Sequence, residues 1–343
     1  MAQGLDGRRT LPPVKSGDWV GIAANAASGR GRGRSLVGRL AKALERRGIE
    51  PRVAWTLDER EALVLESSID DRCRCLVATG GDGTVAALIN ERPGVPLAVL
   101  PAGTENLFAG HFQFGTDPET LAEVVERGEV ATLDLGETQG RRFALMAGVG
   151  FDAEVVTRHH EIRVGSSGTP RPTNRAAYVD PVVRTSLAYR FPTLRANVLH
   201  RDGEEAIEGT TIFVFNLPRY ALKLPFAPDA SGEDGLLDLV VFRDGGPIQA
   251  LRYLWLVLRG LHLKRPGVYH RRVRRVSIEA DQPVAIQLDG DPGGLLHPGV
   301  DGGRLIEVVP GGVEVLVPPT SAKGRRQAAF ARFESPLGTG SRS

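Results

Sequence analysis

The residues of this chain best suited to chemistry are the run Gly80-Gly81-Asp82-Gly83-Thr84, which directly follows a short apolar stretch. A glycine turn between a strand and a helix leaves backbone N–H groups bare at the positive end of the helix, where they bind anions. The Asp82 carboxylate would repel a bare phosphate, so it suits a site where Mg²⁺ accompanies a nucleotide or where a hydroxyl is oriented. The turn therefore predicts a phosphate site, with an ordinary tight turn as the alternative.

A second polar loop follows the next apolar run, residues 97–100, and contains Gly103, Thr104 and Asn106. Consecutive strands of a parallel sheet place their C-terminal loops side by side, which is where open α/β sheets bind ligands. We therefore expect Thr104 and Asn106 to face the same ligand as Asp82.

The elements that must position these loops are predicted from the order of apolar and polar runs. Up to Arg127, strands alternate with helices, as is typical of a three-layer α/β domain with a parallel sheet. After Gly128, strands follow one another with two helical segments, 178–187 and 247–261, which indicates an all-β, sandwich-like domain. The predicted divisions are a leader (1–17), a nucleotide-binding α/β domain (18–129), a β-rich substrate domain (130–320) and a disordered tail (321–343).

Composition excludes several classes of protein. The chain has 343 residues, and its 43 basic and 41 acidic residues give a net charge of +2, too small for nucleic-acid binding through bulk charge. Cys73 and Cys75 are too close together to staple the fold, so we expect them to be reduced. The start resembles no signal peptide, and the longest apolar run, 254–258, is shorter than the roughly 20 residues of a membrane span. We expect a cytoplasmic protein.

Six blocks together resemble the diacylglycerol kinase catalytic-domain family, which includes bacterial lipid kinases, sphingosine kinases and ceramide kinases. Two blocks are the loops described above. The other four start at Asn25 (Asn-Ala-Ala-Ser-Gly), Ala147 (Ala-Gly-Val-Gly-Phe-Asp), Asp234 (Asp-Gly-Leu-Leu-Asp) and Gln287 (Gln-Leu-Asp-Gly-Asp). All six occur in the family's order, which is far more specific than any one of them.

This resemblance implies an ATP-dependent lipid kinase that uses Mg²⁺ and phosphorylates a hydroxyl of a diacylglycerol-like or sphingoid-like lipid. Asp289 would be the catalytic base, and Asp82 would hold Mg²⁺–ATP or serve as the base instead. The implied nucleotide-binding residues are Asn25, Thr56, Gly80, Gly81, Asp82, Gly83, Thr84, Gly103, Thr104 and Asn106.

The resemblance also implies a structural Mg²⁺ in an acidic loop, held by the Asp234 side chain and the Leu236 carbonyl, with Glu233 beside them. A solvated acidic turn is the alternative for this loop, and an Asp-Gly turn is the alternative for Asp289. The chain departs from the family at Asp291, where Glu is usual, and over residues 216–223, where many relatives are rich in glycine. We interpret His159 and His160 as surface or lid residues.

The predicted partners are ATP, a lipid alcohol, the inner surface of a membrane through peripheral contact, and a second copy of the chain in a homodimer. Basic residues flank the apolar run 254–258, which favours contact with an anionic surface, although a helix buried against the sandwich fits that run equally well. Two rival functions remain open: a soluble-substrate kinase related to NAD kinases, which share the Gly-Gly-Asp-Gly turn, and a catalytically inactive nucleotide-binding relative.

Overall fold

A computed structural model describes residues 8–24, 33–164, 185, 189–200, 203–299 and 303–319. Its N-terminal part is a parallel sheet covered by helices. The parallel strands are β2 (Trp19–Ala24), β3 (Glu50–Ala54), β4 (Cys73–Gly80) and β5 (Leu97–Pro101). The helices are α1 (Gly33–Glu45), α2 (Leu57–Ile69), α3 (Asp82–Glu91), α4 (Leu107–His111) and α5 (Pro118–Arg127). Every residue of β4 is buried, as expected for a central strand with helices on both faces.

The strand order of this sheet places the two polar loops together. The order is β5-β4-β2-β3, and the ends of β4 and β5 pair in register, with Gly80 opposite Pro101. Successive strands run outward in opposite directions from the β2/β4 boundary, so a topological switch point lies there. The loop after β4 borders this switch point. The loop after β5 lies next to the loop after β4, on the side away from β2.

The C-terminal part is antiparallel. Its strands are β6 (Glu129–Thr138), β7 (Arg141–Phe143), β8 (Met146–Gly150), β9 (Leu194–His200), β10 (Gly203–Gly209), β11 (Thr211–Phe215), β12 (Leu237–Phe242), β13 (Val268–Val273), β14 (Arg275–Ala280), β15 (Val284–Leu288), β16 (Asp291–Leu296) and β17 (Arg304–Leu316). Among the described residues, the α-helices that accompany them are α6 (Phe151–Val164) and α7 (Pro247–Leu258). The short β1 (Arg9–Thr10) pairs with β6.

Six of these strands form one sheet, in the order β13-β12-β11-β8-β15-β16. One face of this sheet packs against β9, β14 and β17, which belong to the larger sheet. The shared apolar core contains Val214, Leu239 and Ile286 from the six-stranded sheet and Val198 and Ile278 from the larger sheet. This arrangement confirms the predicted fold class, a parallel α/β domain followed by a β-sandwich. Strand β17 connects the two parts, because it pairs with β14 and β6 and also lies parallel to β5.

Several local expectations were wrong. Helix α6 was not predicted, because its charged and apolar residues do not separate onto two faces, and it makes His159 a buried helical residue rather than a surface one. The chain passes from the six-stranded sheet to the other sheet at Arg274, between β13 and β14. The tail 321–343 and most of the helix expected over 178–187 lie outside the described residues. Among the described helices, none has the length and apolar character required to cross a membrane.

Candidate active site

The loops after β4 and β5 touch through two glycines. A Cβ atom added to Gly103 would lie 2.5 Å from the Cα atom of Gly81, so the backbones pack where no side chain fits. The Asn106 side chain closes the second loop: its oxygen accepts the Gly103 N–H at 2.9 Å, and its amide donates to the Gly103 carbonyl at 2.9 Å. The structure thus brings the two predicted nucleotide loops into contact.

Asp82 joins these loops to the next helix. Its carboxylate accepts the backbone N–H groups of Leu107 at 3.1 Å and of Phe108 at 2.9 Å, where α4 begins. Burial, together with the nearby Glu105 charge, raises the pKa of Asp82. An ionised carboxylate has about four acceptor sites, so Asp82 keeps acceptor capacity beyond these two N–H groups. Such a donor fits Mg²⁺, which commonly binds one or two carboxylates together with phosphate oxygens and waters.

Asp289 lies in the turn between β15 and β16, in the left-handed conformation with φ of 55°. One oxygen, Oδ1, accepts the backbone N–H groups of Leu145 at 2.8 Å and Met146 at 3.0 Å, while Oδ2 accepts the N–H of Ala144 at 2.8 Å. Burial raises the pKa of Asp289 to about 6, against the opposing effect of these three hydrogen bonds, and the Asp82 charge raises it further.

The lone pairs of Asp289 identify the atom that could act as a base. A carboxylate has about four acceptor sites, and backbone N–H groups occupy three of them. Among the described residues, the remaining site is on Oδ2. Because three hydrogen bonds fix the carboxylate, Oδ2 can accept a hydroxyl proton without reorienting.

The turn that carries Asp289 lies against the glycine turn after β4. A Cβ atom at Gly83 would be 3.6 Å from a carboxylate oxygen of Asp291, which starts β16. Two carboxylates whose positions in the chain are about 200 residues apart, Asp82 and Asp289, are therefore close enough for the charge of one to shift the pKa of the other. This juxtaposition puts the predicted base close to the predicted phosphate site.

A second buried network, centred on Asp152 at the start of α6, supports the Asp289 turn. The Gln287 amide donates to the Asp152 carboxylate at 3.0 Å, and the Gln287 oxygen accepts the Gly290 N–H at 2.8 Å. The Tyr220 hydroxyl also donates to Asp152, at 3.3 Å, and burial raises the pKa of Asp152 to about 6. Sequence reasoning gave Asp152 and Gln287 no role, although both lie in the motif blocks.

Gly148 explains why the Asp152 network can form at all. This glycine lies opposite Gln287 in the β8/β15 pair, and a Cβ there would come within 2.8 Å of the Gln287 amide nitrogen and 3.2 Å of an Asp152 oxygen. In the sequence, the glycines of the Ala-Gly-Val-Gly-Phe-Asp block were the signal that could have indicated close packing at the Asp152 network.

The acidic loop has a geometry of its own. One Asp234 oxygen accepts the Leu236 N–H at 3.1 Å, and the other faces the Arg272 guanidinium at 3.1 Å. The buried Asp134 carboxylate of β6 accepts the Gly235 N–H at 2.6 Å and so holds the loop against the protein interior. Within the described ranges, no group of three or more acidic, His or Cys side chains is arranged to hold a metal ion. The Mg²⁺ site at Asp234, Leu236 and Glu233 remains a prediction, and an ion there would compete with Arg272.

The other predicted nucleotide contacts fall at the same end of the sheet or outside the described residues. Thr56 follows β3 and caps α2, where its hydroxyl accepts the Glu59 N–H at 3.2 Å. Thr84 is buried on α3, with its hydroxyl against Gly80, and Thr104 is exposed. Asn25 lies outside the described residues.

The segment that departs from the family pattern forms a tight turn beside the Asp152 network. Ala221, Leu222 and Lys223 all have positive φ values, of 22°, 57° and 62°, although none is glycine. Backbone hydrogen bonds between Tyr220 and Leu224, at 2.9 and 3.1 Å, close the turn. Glycine adopts such a turn without strain, whereas this chain carries side chains through it.

Comparisons with known proteins agree with this geometry. Residues 20–138 match the diacylglycerol kinase catalytic domain, and residues 146–317 match the YegS C-terminal NAD kinase beta sandwich-like domain. A diacylglycerol kinase of Mycobacterium tuberculosis is 27% identical over 283 residues, which are 79% of this chain and 88% of that protein. A diacylglycerol kinase of Bacillus subtilis is 27% identical over 233 residues, covering 64% and 72%.

A solved structure shows the same fold. The crystal structure of a diacylglycerol kinase from Bacillus anthracis has a TM-score of 0.65 and 18% identity, and it covers 88% of this chain and 98% of its own. The chain belongs to the diacylglycerol kinase catalytic-domain family, and it is a kinase of this lipid kinase family. Membership implies the use of ATP and, typically, of a divalent metal ion.

Proposed function

We propose that this protein transfers the γ-phosphate of ATP to the hydroxyl of a diacylglycerol-like lipid, with a sphingoid-like lipid as the alternative acceptor. The diacylglycerol kinases of Mycobacterium tuberculosis and Bacillus subtilis support the first choice. The observation that carries the proposal is the position of Asp289, a fixed carboxylate with one acceptor site left unoccupied among the described residues, beside the glycine loop that contains Asp82.

In the proposed reaction, Asp289 Oδ2 accepts the hydrogen bond of the lipid hydroxyl and then its proton. The hydroxyl oxygen forms a bond to the γ-phosphorus as the bond from that phosphorus to the β,γ-bridging oxygen breaks, which leaves ADP and a lipid phosphate. Backbone N–H groups of the glycine loops hold the phosphates, and Asp82 holds Mg²⁺. When bound, Mg²⁺ neutralises charge on the phosphate oxygens. The chain thus supplies position and a base.

A substrate panel tests this assignment. Purified protein is given ATP, Mg²⁺ and one acceptor at a time: dioctanoylglycerol, sphingosine, ceramide or NAD. ADP release is measured along with the phosphorylated product. We expect turnover with dioctanoylglycerol well above the ATPase background, and a preference for sphingosine or ceramide would move the assignment within the lipid class. Turnover of NAD alone would overturn the lipid acceptor and support the soluble-substrate rival. Lack of turnover with every acceptor, despite ATP binding, would support the inactive relative.

A further inference from the structure

Helix α7 exposes apolar side chains along its outer side. Ile248, Leu251, Leu254, Trp255 and Leu258 are all exposed, and Ile248 most of all, at 82%. Four of them follow at intervals of three, four and three residues, which places them on one helix face. We call these five residues the apolar face.

The opposite side of α7 is firmly packed, so the exposure of the apolar face does not reflect a loosely attached helix. Tyr253, Leu256 and Val257 are buried, and the Tyr253 ring lies 4.7 Å from the Phe242 ring of β12. The Tyr253 hydroxyl donates to the Asp244 carboxylate at 2.9 Å. A contiguous apolar patch on the surface commonly marks a site of protein or membrane contact, so the apolar face indicates a partner.

The charge around the apolar face indicates the kind of partner. Between Asp244 and Glu279 the chain has eight Lys and Arg residues and no acidic residue. Four of the basic residues are exposed within or just after α7 and form a basic rim: Arg252, Arg259, Lys264 and Arg265. The Arg259 guanidinium lies 5.6 Å from the centre of the Trp255 ring. A symmetric contact with a second copy would bring this positive rim against itself, whereas an anionic surface complements it.

The apolar face lies on the same side of the six-stranded sheet as the active site. Ring contacts lead from Tyr253 of α7 through Phe242, Phe213 and Phe226 to Tyr220, with centroid separations of 4.7 to 6.2 Å. The Tyr220 hydroxyl then bonds to Asp152, in the network that supports Asp289. One layer of side chains thus connects α7 with the site.

We propose that the apolar face and the basic rim dock the protein on an anionic lipid bilayer. Trp255 and the leucines enter the interfacial region of the lipid, while the guanidinium and ammonium groups remain at the level of the anionic headgroups. The inference rests on the proposed function, because an enzyme whose acceptor is a membrane lipid gains from holding its site at the membrane. No covalent step is involved.

Vesicle co-sedimentation tests the docking directly. The full chain is mixed with vesicles of phosphatidylcholine alone or with 30 mol% phosphatidylglycerol, at low and at high salt. We expect binding only to the anionic vesicles, weakened by salt. The substitution pair Leu251→Ser with Trp255→Ser, and separately Arg252→Gln with Arg259→Gln, should each lower the bound fraction at least tenfold.

A matched control comes from α2, where Leu65 and Ile69 are also exposed, at 66% and 79%. Leu65→Ser with Ile69→Ser removes comparable apolar side chains outside the proposed surface and should leave vesicle binding unchanged. Equal binding by the α7 variants and the wild type would overturn the proposal. A second outcome would also overturn the proposal: the wild type is a dimer, and the α7 substitutions convert it to a monomer without changing vesicle binding. The partner of the apolar face would then be a second copy of the chain.

Kinase assays separate failure of the docking from failure of the proposed function. The α7 variants should phosphorylate a dispersed short-chain acceptor at the wild-type rate and lose activity only on a long-chain acceptor in anionic vesicles. Wild-type binding to vesicles without phosphorylation of any lipid would remove the proposed function and leave the docking surface in place. Full activity on vesicles without dependence on α7 would remove the docking surface and leave the kinase.

Discussion

Asp289→Asn is the most informative single substitution, because it keeps the shape of the side chain and removes its basic character. In the proposed mechanism Oδ2 of Asp289 takes the acceptor proton. An amide cannot take that proton, so turnover should fall by about 10² or more. The affinity for Mg²⁺–ATP should remain nearly unchanged, because the glycine loops and Asp82 are intact.

The same substitution has a calculable effect on stability. Burial raises the pKa of Asp289 from its ordinary 3.8 to about 6, so between these values the folded chain holds a proton that the unfolded chain has lost. The free energy of unfolding therefore falls as the pH rises through this window. One pKa unit corresponds to about 1.4 kcal/mol, so the rise in the pKa of Asp289 lowers the free energy of unfolding by about 3 kcal/mol once the pH is well above 6. Asn does not titrate and so does not carry this cost, but its NH2 group cannot accept the Ala144 N–H that Oδ2 accepts, which adds a penalty that does not depend on pH.

We therefore expect Asp289→Asn to be less stable than the wild type near pH 4, by about 1–3 kcal/mol for the lost Ala144 hydrogen bond. Between pH 4 and pH 7.5 the difference should shift in favour of the variant by up to about 3 kcal/mol. Denaturant unfolding at both pH values measures this difference, and comparing the two proteins cancels the titration of Asp152, which also has a pKa of about 6. Wild-type kcat/KM should rise with pH through about 6, as the base loses its proton. A variant that retains near-normal turnover would refute the base assignment and make Asp82 the preferred base.

Three further substitutions test the neighbouring features. Asp82→Ala should abolish the rise in melting temperature that Mg²⁺–ATP causes. Asp117→Ala is the control, because Asp117 also accepts a backbone N–H at the start of a helix, and this variant should keep the rise in melting temperature. If Asp82→Ala also keeps the rise, Asp82 is excluded from the nucleotide site. Gly103→Ala places a Cβ 2.5 Å from the Gly81 backbone and should weaken ATP binding at least tenfold in calorimetry. Gly110→Ala is the matched control, because in the described part of the chain no atom lies within 4 Å of a Cβ there; equal ATP binding by both variants would contradict the packed-loop geometry. Asp234→Asn should make the melting temperature insensitive to a Mg²⁺ chelator that destabilises the wild type, and an equal chelator effect on both proteins would remove Asp234 from the metal site.

The sequence predicts the local parts of this architecture well, because they depend on short-range chemistry. The glycine turn at residues 80–84, the polar loop after residue 100 and the apolar strand before each of them follow from conformational freedom and periodicity. The closure of that loop by the Asn106 side chain was not predicted. The family resemblance adds Asp289. Contacts across long sequence separations were not predictable: nothing in the residues around Gln287 indicates that its amide bonds to Asp152.

Two other features were also not predictable from local sequence. Strand β17 joins the parallel strands to antiparallel strands within one large sheet, but its residues resemble those of any amphipathic strand, and only the pairing with β5, β6 and β14 reveals its place. Helix α7 is apolar on two sides, and the sequence does not distinguish the side that Tyr253 anchors from the side that remains exposed. Tertiary packing decides both, and it is not encoded in a local pattern.

The proposed reaction of this chain is the transfer of phosphate from ATP to a lipid hydroxyl. The most direct measurement incubates the protein with γ-labelled ATP, Mg²⁺ and a total lipid extract, and then counts the label that partitions into organic solvent. We predict a labelled lipid phosphate whose formation requires both the protein and the extract, and which Asp289→Asn reduces by about 10² or more. Label that remains entirely in the aqueous phase, with ATP binding intact, would contradict the account.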